Sequence, residues 1–145
     1  MECTIDWLAT NGMAFSAETG SGHLLTMVGA PDGGGRNLAP RPMETVLAGT
    51  GACAAFDVVL ILKRGRHDVR GCRVKVAAER APEDPKVFTS IHLHFIVSGI
   101  DMPAAAVERA VALSHDKYCS ATIMLAKTAA ITTSVELVAL AADQR

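Results

Sequence analysis

Two cysteines sit where thiol chemistry can start. Cys53 lies in a run of small residues, GTGACAA at 49–55, which leaves open space beside a sulfur. Cys119 lies at a break in the pattern, just before a short helical stretch at 120–128. Unpaired N–H groups and the positive end of a helix dipole favour a thiolate there. A thiolate attacks peroxides, disulfides and metals, whereas a thiol buried among apolar groups is inert. Spacing alone leaves both readings open for this pair: redox partners, or two small core fillers. Cys3 and Cys72 complete the set. Four cysteines in 145 residues are too few for a disulfide scaffold. They form no CxxC and no Cys/His cluster with zinc spacing, so neither a metal nor a cofactor is expected.

Other chemistry-bearing patterns have plainer readings. GTGACA at 49–54 matches G-x-G-x-x-A, but that fingerprint needs a strand before it and a helix after it. Here a helical pattern runs straight through, so the small residues serve close backbone approach instead. His92 and His94 share one face of a strand, and no third ligand stands at a recognisable spacing. They read as a solvated outer face, as do Arg73 and Lys75 on the neighbouring run. GRHD at 65–68 reads as a surface turn. There is no G-x-S-x-G, no P-loop and no HExxH.

The elements that must carry these residues fit one domain over 1–145. Half of the residues are hydrophobic and 20% are charged, which excludes intrinsic disorder. Aromatics are 4%, so Ala, Val, Leu, Ile and Met must build the core. A formal charge of −1 removes the footprint of a nucleic-acid binder. A small, half-apolar domain is hard to cover with its own polar surface, which suits a core shared in a homo-oligomer. The segment 46–62 is apolar enough to suggest a membrane span, yet it is short for one and carries Asp57. A helix apolar on nearly every face is better read as buried in protein. With no basic-then-apolar leader at the start, a cytoplasmic protein with reduced thiols is expected.

Alternating runs at 2–9, 13–18 and 23–28 predict an antiparallel meander. A Gly/Pro-rich loop at 30–42 separates it from a helix beginning at Pro42 and ending at Lys63 or Arg64, before Gly65. Strands come next at 72–80 and 87–98, joined by APEDPK and closed by Gly99. Asp101 should cap a helix over 103–117. A shorter helix at 120–128 and a strand at 131–140 finish an α+β chain of antiparallel sheets packed on helices.

Three features together resemble the osmotically inducible protein C and organic hydroperoxide resistance (OsmC/Ohr) family. These are APRPMETVLAGTGAC at 39–53, KYCS at 117–120, and the order of elements from end to end. RHDV at 66–69 and IHLHFIV at 91–97 are most similar to its YhfA-like branch. The resemblance implies two antiparallel sheets packed on a long central helix, in an intertwined homodimer with sites at the interface. It implies a cytoplasmic thiol peroxidase acting in oxidative-stress defence on a small organic hydroperoxide. Cys53 would be the peroxidatic thiol, Cys119 the resolving thiol, and an external dithiol the reductant. No cofactor, nucleic acid or membrane is implied.

The chain departs from the family at the charged residues that support the thiol. Members carry a Glu ten residues before the first cysteine, paired with an Arg from the N-terminal β region. Here that position is Met43, Glu44 stands nine before, and the N-terminal strands hold no arginine. Arg36 and Arg41, on the loop, are the nearby guanidinium candidates. Full ionisation of a thiol gains only about tenfold near neutral pH, while one lost donor to the leaving oxygen costs about 10²–10³ in rate. An alternative reading is therefore a weakly active or non-catalytic member that binds a small molecule or senses redox state.

Overall fold

A computed structural model describes residues 1–141 and divides the chain into two compact units, Met1–Leu47 and Ala48–Arg145. In the first unit, β1 (Cys3–Trp7), β2 (Ala14–Thr19) and β3 (Leu24–Val28) form the expected antiparallel meander in the order β1-β2-β3. Ala14, Ala17 and Val28 are its buried residues, while Ile5, Trp7 and Leu24 are exposed. The Trp7 indole N–H reaches back to the Gly12 carbonyl at 2.8 Å and closes the first turn.

Helix α1 (Pro42–Arg64) has the bounds that its punctuation predicts. Pro42 occupies the first helical position, where its missing N–H costs nothing. The Glu44 carboxylate accepts the Arg41 backbone N–H at 2.9 Å, one half of a capping box. Lys63 and Arg64 meet the negative end of the dipole.

The second unit is built on β4 (Asp68–Arg80), β5 (Phe88–Ile100) and β6 (Ala130–Ala139), in the order β4-β5-β6. Strand β5 is central, and it buries Ile91, Leu93, Phe95 and Val97 at alternate positions. Ala54, Val58 and Leu62 of α1 repeat every fourth residue and are buried, as are Val107, Ala110 and Val111 of α2 (Ala104–Leu113). Gly51 comes so near β4 that an added Cβ would stand 2.9 Å from Val76 Cγ2.

Several boundaries differ from expectation. The polar turn shortens, because Asp68 already pairs with Ile100 in the ladder. Gly99 lies inside β5 rather than ending it, since a side chain there would collide with the Asp68 backbone. Asp101 does not cap α2; it has φ of +50°, and the extended Pro103 stands at the cap. The second sheet is not wholly antiparallel, because β6 runs parallel to β5, with Leu93 opposite Thr133. Parallel neighbours need a long crossover, and the helical stretch between Ile100 and Ala130 supplies one. The helix expected over 103–117 changes at Ser114 into a five-residue π turn, Ser114–Tyr118. The short α3 then covers Ser120–Leu125.

Candidate thiol site

The π turn delivers one of the two sulfurs. Its widened ring is closed by the Cys119 N–H donating to the Ser114 carbonyl at 2.8 Å. Such turns are uncommon and cluster at functional places. Cys119 then adopts extended backbone angles and becomes the cap residue of α3, fully buried. Thr122, also buried, donates its hydroxyl to the Cys119 carbonyl at 3.1 Å and fixes this corner.

Cys53 sits mid-helix on α1 and is half-buried. Asp57 lies four residues further on, a spacing that stacks both side chains on one helix face. Cys53 Sγ, Cys119 Sγ and an Asp57 carboxylate oxygen lie within 4.8 Å of one another. Ser114 connects the corner to the helix: its hydroxyl lies 3.3 Å from the Ala54 carbonyl and 3.5 Å from Asp57 Oδ2. Its single proton is shared between these two acceptors.

Burial pushes the Cys119 thiol above the ordinary thiol range. Hydrogen bonds with Thr122 oppose the shift, and the neighbouring Cys53 thiol adds to it. Burial therefore works against the thiolate that the helix end was expected to favour at Cys119. Burial likewise raises the Cys72 thiol on β4. Cys3 is exposed on β1.

The structure brings Cys53 and Cys119 together, and the other candidate residues occupy the start of α1 and the loop before it. Arg36 and Arg41 are exposed, and the Glu44 carboxylate is engaged as a cap. Glu44 precedes Cys53 by nine positions on α1, about two and a half helical turns. Sequence reading passed over Asp57, Ser114 and Thr122. The four-residue step from Cys53 was a usable signal for Asp57, which had registered only as a charge in an apolar stretch.

His92 and His94 stand on the outer face of β5, as expected, but only half exposed. His92 bonds Thr132 at 2.7 Å and Ser134 at 2.8 Å, and His94 bonds the same Ser134 hydroxyl at 2.7 Å. The G-x-G-x-x-A stretch lies wholly inside α1, so the strand-turn-helix setting of a nucleotide fingerprint is absent.

Comparison with known proteins agrees with this architecture. The family described as OsmC-like protein matches residues 33–134. Protein YhfA of Escherichia coli (strain K12) is 49% identical over 139 residues, covering 96% of this chain and 99% of that protein. A hypothetical protein from Aquifex aeolicus VF5 superposes with a TM-score of 0.82 at 26% identity, over 97% of both chains. An organic hydroperoxide resistance protein OsmC from Legionella pneumophila superposes with a TM-score of 0.70. At 17% identity, over 94% of this chain and 97% of that one, it speaks to the fold alone. A matched family over most of the length, a relative at near half identity and the same α+β arrangement agree: this chain belongs to the OsmC-like protein family.

Proposed function

We propose that the chain is a thiol-dependent hydroperoxide reductase in which Cys53 is peroxidatic and Cys119 resolving. The observation that carries the reading is the Cys53 sulfur, on a half-buried residue, within 4.8 Å of the sulfur of the buried Cys119. Cys53, the less buried of the two residues, takes the attacking role. Its thiolate attacks one oxygen of a small organic hydroperoxide, the O–O bond breaks, and the leaving alkoxide takes a proton to become an alcohol. Cys53 is left as a sulfenic acid. Cys119, shielded from bulky oxidant and held protonated by burial, then condenses with it. The S–S bond forms, and the sulfenic oxygen leaves as water with the Cys119 proton. The sulfurs need approach by no more than about 2.8 Å to reach bonding distance. An external dithiol reduces the pair by exchange.

The same proposal includes a cytoplasmic homodimer and a single functional domain over 1–145. Supporting the dimer, only 28% of the most apolar stretch of α1 is buried within the chain, and Phe56 is 67% exposed. A second copy would cover that face. One observation favours a weaker, redox-sensing activity: the guanidinium candidates Arg36 and Arg41 are exposed and the Glu44 carboxylate is engaged as a helix cap. Turnover of cumene hydroperoxide with dithiothreitol separates the two. Rapid turnover that vanishes in Cys53→Ser supports the reductase. Stoichiometric oxidation to the disulfide without turnover supports the sensor, and activity unchanged in Cys53→Ser overturns both.

A further inference from the structure

We infer that Cys53, Asp57 and Cys119 form a binding site for a soft divalent cation of the zinc class. Nothing in the spacing of the cysteines announced it, because one ligand arrives from 62 residues beyond Asp57, around the π turn. Two sulfurs and a carboxylate are a donor set suited to zinc or cadmium rather than magnesium or calcium, which prefer oxygen alone. The three donor atoms already lie within 4.8 Å of one another. Zinc–sulfur bonds of about 2.3 Å and zinc–oxygen bonds of about 2.0–2.2 Å at tetrahedral angles set donors about 3.5–3.8 Å apart. Rotamer adjustments of about an ångström close the set.

Three further features of the surroundings suit such a site. Cys53 and Asp57 are one helical turn apart on α1, the spacing at which one helix presents two ligands together. Ser114 donates toward Asp57 Oδ2 at 3.5 Å and steadies the carboxylate from behind, as supporting hydrogen bonds do at metal centres. Three protein donors leave the fourth tetrahedral position of such a cation to water, as at zinc sites with three protein ligands. A bound cation deprotonates a coordinating thiol outright. Binding therefore releases protons and strengthens as pH rises.

The inference requires only that both thiols be reduced, so it stands whether or not the chain turns over peroxide. The cation-bound and disulfide forms exclude each other, since the disulfide consumes both thiolates. The test is titration of the reduced, full-length protein with Cd²⁺, tracking the thiolate-to-cadmium charge-transfer absorbance, and with Zn²⁺ by calorimetry. One ion per chain is expected, with the signal unchanged in Cys72→Ser and Cys3→Ser and lost in Cys53→Ser. Asp57→Asn should weaken binding by at least about tenfold, the scale at which even supporting groups matter. On the unaltered protein, saturating Zn²⁺ should slow alkylation of Cys53 by more than about tenfold and leave that of Cys3 unchanged. Binding absent in the reduced protein, or equal in Cys53→Ser or Asp57→Asn, would overturn the site.

Discussion

Two carboxylates on one helix have different duties. Glu44, in the first turn of α1, is exposed and accepts the Arg41 backbone N–H at 2.9 Å. Asp57, three to four turns later, is half-buried, approached by the Ser114 hydroxyl and close to both sulfurs. The residue types are nearly interchangeable, and the neighbours decide between them. An exposed carboxylate at a helix start satisfies a backbone donor and complements the dipole. One enclosed beside thiols changes what those thiols can do. Helical phase, four residues for Asp57 against nine for Glu44, decides which carboxylate accompanies Cys53.

The contrast between the two ends of α1 is tested most severely at Cys53. Cys53→Ser should lower peroxide turnover by about 10³ or more, as loss of a nucleophile does, whereas Glu44→Gln should change it by less than about threefold. Steady-state rates with both variants check this. Comparable losses would mean that the helix start is part of the site.

Gly51→Ala is the next largest effect. The added methyl meets Val76 Cγ2 at 2.9 Å, and Val76 is too stiff to move away cheaply. Overpacking of this kind costs about 1–3 kcal/mol, only partly offset by about 1 kcal/mol of better helix propensity. A lowered denaturation midpoint in urea is expected.

Ser114→Ala sharpens the contrast between the carboxylates. It removes a buried donor to Ala54 and Asp57 at a cost of about 1 kcal/mol. Glu44→Ala removes the cap contact and should cost about 0.5–1 kcal/mol. Only the first should also alter the rate at which Cys53 and Cys119 join after one equivalent of peroxide, measured by quenched alkylation and mass spectrometry. If Glu44→Ala altered that rate equally, the division of labour along α1 would be wrong.

The smallest effect is one of pH. Burial raises the Cys72 thiol above its ordinary value of 9.0. Below that value the thiol is protonated both folded and unfolded, and its contribution to stability is complete. Above it the unfolded chain releases the proton first, so stability falls as pH rises toward the folded value. Thermal melts between pH 8 and 10 should show a slight alkaline loss that Cys72→Ala reduces.

Much of the fold was legible along the chain. The bounds of α1 come from Pro42, from Lys63 and Arg64, and from Gly65, because helix termini have local rules. Alternation placed β5 and its buried face, because pleating is local too. The misreadings share another cause. Gly99 looked like a terminator, but its missing side chain answers to Asp68, thirty-one residues away. The parallel pairing of β6 with β5 depends on how a crossover packs, which no local pattern states. The π turn replaces helix where Ser114 is tied to α1.

Of the site, the sequence determined the two thiols, their family setting and the helix that carries Cys53. Only tertiary structure decided that Asp57 accompanies them, that Glu44 is used as a cap, and that Cys119 resists ionisation despite its place at a helix end. Helix and strand periods are properties of a few neighbouring residues, whereas desolvation and donor convergence depend on which distant segments exclude water from the same small volume.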